Sequence, residues 1–200
     1  MNNYEYIIAG LPLLKASDRT HMDADGILSE IRSQLSASDC RLLDRLLSGY
    51  DPEKLDADFY SSMLRERNRF LREFFLYDLC LRNVKTEYLN RSLGRAAGTD
   101  CIMLPELEEY EFIGRDAAEA VLSGSDIIRR ERGLDDLMWD EIDRINEMEV
   151  FSIDVILGFT AKLKIVDRWN RLDPESGAQL FRRLVAQIRS TYDNKKQNMI

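Results

Sequence analysis

From Asp56 to Gly94 no Pro or Gly intervenes and apolar residues recur at helical spacing, the longest unbroken pattern in the chain. Phe70, Phe74, Tyr77, Leu81, Val84 and Tyr88 follow alternating steps of four and three, the spacing of a helix seam. Between Phe70 and Leu81 only Arg72, Glu73 and Asp78 are polar, so the helix is apolar on nearly every side there and needs neighbours all round. The seam lasts about three heptads, because Arg67 and Arg91 occupy the positions that would extend it. A buried bundle helix is therefore expected rather than a free coiled coil. At ~1.5 Å per residue the rod would measure ~55 Å, more than the diameter of a compact domain of this size, so it must kink or project. Opposite charges four apart, Arg69 with Glu73, Asp78 with Arg82 and Glu87 with Arg91, would lend about 0.3 kcal/mol each.

The flanking patterns are also helical. Asp23 or Asp25 can cap a helix carrying Ile27, Leu28, Ile31 and Leu35, and Ser38 can cap a second carrying Leu42, Leu43, Leu46 and Leu47. Gly49 is expected to end that helix as a left-handed cap. Gly94 to Pro105 breaks the periodicity and is the best hinge, dividing the chain into 1–94 and 95–200, which together are expected to form one unit. Pro105 suits a first helical turn, Asp116 to Leu122 forms a short helix, and Ser125 caps Asp126 to Arg132. Gly133 should separate that segment from a helix over Leu134 to Glu149. Val150 to Leu172 follows, then a last helix buried through Leu180, Phe181, Leu184, Val185 and Ile188. Only Tyr4 to Pro12 has the aromatic and β-branched content of an extended segment. A lone strand has no partner for its backbone, so this stretch either packs on the helices as an extended arm or starts a helix. The expected fold is all-α, a multi-helix bundle around one long central helix with a short extended N-terminal arm.

Charge narrows the classes of partner. Lys plus Arg total 28 against 36 Asp plus Glu, a formal charge of -8, which disfavours nucleic acid or anionic membrane and favours a basic protein surface. Cys40, Cys80 and Cys101 are far apart and form no CxxC pair, so they read as reduced core thiols of a cytoplasmic protein. Tyr6 to Leu14 lacks the basic lead and small-residue cleavage site of a signal peptide, and no stretch reaches the ~18 apolar residues of a membrane span.

Chemistry is excluded more readily than assigned. The single histidine, His21, lies in a polar loop, which argues against di-iron bundles, His-rich zinc sites and a Ser-His-Asp triad. Neither GxxxxGK[ST] nor GxGxxG occurs, so nucleotide binding has no support. The acids Glu106, Glu108, Glu109 and Glu111, and Asp135, Asp136, Asp140, Glu141 and Asp143, alternate with core positions and read as solvated helix faces. Trp139 and Trp169 fall within apolar helical patterns and read as core. No catalytic residue, cofactor or metal is expected.

Two segments resemble known families. The opening Tyr4-Glu5-Tyr6-Ile7-Ile8-Ala9-Gly10-Leu11-Pro12 resembles the start of an uncharacterised family encoded beside the genes of bacterial V/A-type ATPases. Phe151 to Ile165, FSIDVILGFTAKLKI, resembles the late helix of the socket protein of V/A-type ATPases (the C/d family), where an acidic residue precedes a hydrophobic helix ending in Ala-Lys. Val155 and Phe159 stand where that family more often has Pro and Tyr, and 200 residues would hold about two of its three similar helical units. The resemblance implies a non-enzymatic helical adaptor, an assembly or coupling component of the ATPase. Its partners would be protein subunits of the central stalk or membrane ring, and its place the cytoplasm, peripheral to a membrane complex. Arg65, Arg69, Asp154, Lys162 and Arg168 are the candidate partner contacts. A stand-alone helical scaffold with an unrelated partner is the alternative, and a carboxylate-based metal enzyme a distant third.

Overall fold

The computed structural model describes residues 4–16 and 22–172. Among them are eight α-helices: α1 (Glu5–Gly10), α2 (Ala24–Gln34), α3 (Ala37–Ser48), α4 (Ala57–Leu64), α5 (Arg69–Leu93), α6 (Arg115–Leu122), α7 (Ile127–Asn146) and α8 (Ile153–Asn170). Single 3-10 turns at Pro52–Lys54 and Pro105–Leu107 complete the set, and the described residues contain no strand. The all-α expectation holds. The last expected helix, through Leu180 to Ile188, and His21 lie outside the described residues.

The N-terminal segment is helical rather than the extended arm that its composition predicts. One and a half turns satisfy the backbone locally, with the Ile8 N–H on the Tyr4 carbonyl at 3.0 Å, which a lone strand could not do. Tyr4 and Ile7, three apart, bury one side of the turn, and the backbone extends only at Leu11. The Tyr4 hydroxyl donates to Asp39, tying α1 to the first turn of α3.

The long rod is broken. Helix α4 ends at Leu64, and Asn68 starts α5 by accepting from the Leu71 N–H at 2.9 Å. Four polar residues, Arg65-Glu66-Arg67-Asn68, offer no apolar anchor across the break. Glu66 instead accepts from the Arg67 N–H at 2.8 Å, and Arg72 donates to the Glu66 carbonyl at 2.9 Å. The chain then folds back. Tyr60 donates to Asp78 Oδ2 at 2.6 Å, a contact between residues that a continuous helix would hold ~27 Å apart. Phe59 and Phe75 meet edge to face at 5.1 Å in the same interface.

Helix α5 remains the axis of the fold, with α4, α6, α7 and α8 packed around it. Phe70, Leu71, Phe74, Phe75, Leu79, Leu81 and Val84 are buried, each contributing about 1.5–3 kcal/mol of burial free energy before conformational entropy is charged. Gly94 closes the helix in the left-handed region at φ 64°. The expected hinge after it is pinned along α5. Asn83 brackets Ile102, donating to its carbonyl at 2.8 Å and accepting from its N–H at 3.0 Å. Asn90, buried, donates to the Thr99 carbonyl at 2.7 Å.

Several starts and stops differ from the pattern-based expectation. Ser36, not Ser38, caps α3, accepting from the Asp39 N–H at 3.2 Å. Gly49 ends that helix at φ -70°, in the right-handed region, and is there because a Cβ would lie 2.3 Å from the Phe75 ring. Asp126, not Ser125, caps α7, accepting from the N–H groups of Ile128 at 2.8 Å and Arg129 at 3.1 Å. Gly133 does not interrupt α7. It lets α6 approach, since a Cβ would stand 2.7 Å from Val121 Cγ1. Of the anticipated i,i+4 pairs, Arg82–Asp78 closes at 2.8 Å and Arg69–Glu73 at 3.8 Å. Arg91 turns to Glu119 at 3.1 Å, while Glu87 accepts from the Gly98 N–H at 2.5 Å.

Candidate functional site

The two segments that carry the resemblance meet in space: the Tyr4 N–H donates to the Phe151 carbonyl at 3.1 Å. Beside this junction α8 begins, and its first-turn Asp154 is buried. Asn68 donates to Asp154 Oδ1 at 2.5 Å, and Asn146 donates to the Asp154 carbonyl at 3.0 Å. Burial pushes the Asp154 carboxyl above the usual carboxylate range, with Asn68 and the Arg69 guanidinium pulling back and Glu149 adding to the push. Arg69 itself donates to the Ile145 carbonyl at the end of α7. Of these two expected partner contacts, Asp154 is buried, while Arg69 bonds within the molecule and keeps 45% of its side chain exposed. They lock the α4–α5 break, the end of α7 and the start of α8 into one node.

Lys162 and Arg168 brace α8 on α7. Lys162 pairs with Asp143 and lies 4.6 Å from the centroid of the Trp139 ring. Arg168 pairs with Asp135, which also accepts from Trp169 Nε1 at 2.6 Å. Both tryptophans therefore pack on the core with a cation against the ring, as their apolar helical settings predict. Arg65 is the most exposed of the candidate cations, its side chain 73% accessible, and reaches Glu106 at 3.1 Å. Of the five candidates, Arg65 presents most of its side chain outward and Arg168 about half, at 51%.

A cleft of about 400 Å³ lies between α5, α7 and α8, floored by Phe74, Leu81, Leu134, Met138 and Ile165. Each lysine and arginine on its rim has a carboxylate partner, among them Arg82 on Asp78 at 2.8 Å and Lys85 on Glu131 at 2.5 Å. Burial raises the Asp135 carboxyl above its ordinary range despite Arg168 and Trp169. The rim charges bridge three helices, so the cleft reads first as a packed seam. Among the described residues no group of three or more His, Cys, Asp or Glu side chains is placed to hold a metal ion, and the three cysteines are free thiols.

Sequence reasoning passes over the exposed apolar residues at the junction. Tyr6 is 92% exposed, Met148 85%, Val150 61% and Phe151 43%. The helical pattern includes Met148 and Val150, whereas α7 stops at Asn146 and α8 starts at Ile153, leaving both on a connecting turn. Their one legible signal is the alternation Glu147-Met148-Glu149-Val150, which suits neither a helix seam nor a buried turn.

The fold and the junction define an all-α protein whose charged side chains at this end serve mainly to lock helix to helix. Residues 106–192, less than half of the chain, match the model of a family described as protein of unknown function (DUF2764). No curated protein and no solved structure matches the chain.

Proposed function

We propose that the protein is a helical adaptor, an assembly or coupling component of a V/A-type ATPase, that grips protein subunits of the complex at the junction of α1 with the α7–α8 turn. The observation that carries this reading is the Tyr4–Phe151 hydrogen bond, which brings together, across 147 positions, the segment resembling the ATPase-neighbour family and the segment resembling the socket subunit. Most of the resembling helix is core: Ile156, Leu157, Thr160, Ala161 and Leu163 are fully buried. Its similarity therefore supports a shared packing role, and contact with a partner falls to the exposed residues at its start. Tyr6, Met148, Val150 and Phe151 supply apolar contact there, in two segments whose flanking charges, Glu5, Glu147 and Glu149, are all acidic. No helix of the described residues is long and apolar enough to cross a membrane.

The test is purification of a tagged full-length chain from native membranes in mild detergent. Stalk or ring proteins of the ATPase are expected to co-purify, and a Met148→Ser, Val150→Ser double variant is expected to lose them. Retention of other proteins in their place would overturn the reading in favour of a stand-alone scaffold.

A further inference from the structure

The connection between α5 and α6 folds back along α5 and roofs a pocket of about 320 Å³. Its inner wall is Cys80, Val84, Leu107 and Phe112, with Phe112 held edge to face on Tyr77 at 5.1 Å. Two lip residues are apolar yet exposed, Met103 at 71% and Tyr110 at 43%, and Ile113 follows at 93%. Scattered exposed apolar residues need no explanation, but three on one short connection, two of them at the mouth of a pocket, form a surface that water solvates poorly. Around the pocket carboxylates outnumber bases. Residues 103–113 carry four carboxylates, Glu106, Glu108, Glu109 and Glu111, and no base. Glu87 adds a fifth carboxylate in the pocket wall, and Asp140 and Glu141 of α7 lie near enough to act on the neighbouring Tyr77. The bases are fewer: Arg65 is engaged by Glu106, Arg144 by Glu141 and Glu73, and Arg115 is the one base in the pocket lining.

We propose that this pocket is a docking site for an amphipathic helix of a partner protein, one large apolar side chain of which enters between Met103 and Tyr110 while flanking lysines and arginines meet Glu106, Glu108 and Glu109, which line the adjoining hollow on the other side of Tyr110. The occupant follows from complementarity. An apolar mouth selects an aromatic or branched anchor, and the carboxylates select a basic flank and repel an acidic one. The site deepens the adaptor reading by giving it a second contact surface, at a place apart from the α1–α8 junction, and it does not depend on the partner belonging to an ATPase.

The probe is a fluorescein-labelled synthetic amphipathic helix, leucine around one phenylalanine on one face and lysine and arginine on the other, with a twin carrying glutamate at every basic position. Fluorescence anisotropy with the full chain is expected to show saturable binding of the basic helix, at least tenfold tighter than the twin. The Met103→Ala, Tyr110→Ala double variant, altered at exposed positions and checked for native helicity by circular dichroism, is expected to weaken binding about tenfold. Bound helix should also slow alkylation of Cys101, which lines the pocket. No binding of the basic helix, equal binding of the twin, or wild-type affinity in the double variant would each overturn the proposal. Peptide binding without ATPase co-purification would keep this site and discard the ATPase assignment, and the reverse outcome would discard this site alone.

Discussion

Asn68 donates through Nδ2 to Asp154 Oδ1 at 2.5 Å, joining the start of α5 to the first turn of α8 across 86 positions of sequence. The same amide caps α5 through its oxygen, on the Leu71 N–H at 2.9 Å. One side chain therefore both caps the second helix and fixes where its start sits. Replacing Asn68 by Ala removes the cap and leaves a buried carboxylate short of a donor, for an expected loss of about 1–3 kcal/mol in urea unfolding. Asn68→Asp keeps the cap acceptor but sets a second carboxylate against Asp154. It is expected to be destabilised at pH 7 and to regain part of the loss as the pH falls; Asn68→Ala, which leaves only Asp154 to titrate, should show a smaller recovery of the same sign.

The Asp154 carboxyl titrates above its ordinary value because burial disfavours its charge. Between the unfolded and folded pKa values the folded state binds more protons, so stability should fall as the pH rises through that window. Asp154→Asn keeps an acceptor for Asn68 and removes the charge. Its urea midpoint is expected to lose this component of the pH dependence and to equal or exceed that of the wild type at pH 7, whereas Asp154→Ala should be less stable than both. A wild-type pH profile unchanged in Asp154→Asn would show that the carboxylate bears no desolvation cost. Asp135 shifts in the same direction, so the wild-type-minus-variant difference, rather than either curve alone, isolates Asp154.

Gly158 lies where α8 crosses the end of α7. A Cβ there would stand 2.0 Å from Asn146 Nδ2 and 3.2 Å from Ile142 Cγ2. Alanine is the better helix former by about 1 kcal/mol, yet Gly158→Ala must displace the amide that bonds the Asp154 carbonyl. A net loss of about 1–3 kcal/mol is expected by thermal or urea unfolding, and a neutral or stabilising result would mean that the two helices are less closely apposed.

Cys80 and Cys101 line one pocket, and burial pushes both thiols up to about 11, with the Glu87 hydrogen bond adding to the shift at Cys101. At pH 8 a thiol of that pKa is ~0.1% thiolate, so iodoacetamide should modify both slowly and faster with each rise in pH. Glu87→Gln removes the charge that holds the proton on Cys101. Its alkylation rate at pH 8 should rise while that of Cys80 stays near the wild-type rate, read by mass spectrometry of the two peptides.

The helical runs themselves are legible in the pattern, because burying one stripe of a helix leaves a mark every three or four residues. The centre of α5 from Phe70 to Val84 and the short α6 fall where the periodicity puts them. The break at Arg65 to Asn68 is not legible in the same way, since four polar residues suit an exposed helical turn as well as a loop, and only the packing of Tyr60 on Asp78 decides between them. Gly133 misleads for the opposite reason. Glycine is a local punctuation mark on average, but here it is a point of close approach to Val121, visible only once α6 and α7 are side by side.

The candidate contact residues show the same division. Lys162 and Arg168 are charges on an amphipathic helix, and sequence reads such charges as solvent-facing. Their partners Asp143 and Asp135 lie 19 and 33 positions away, too far for any local pattern to couple them. The sequence by itself determined the class of fold, the buried axis and an acidic surface, because hydrophobic periodicity and net charge are sums over residues that hold whatever the path of the chain. Tertiary structure alone decided that the rod folds back on itself, that Asp154 is an internal anchor, that Tyr4 meets Phe151, and that Met103 and Tyr110 stand at the mouth of a pocket. Each of these depends on which residues distant in the chain come into contact, and that is settled by how helix faces pack.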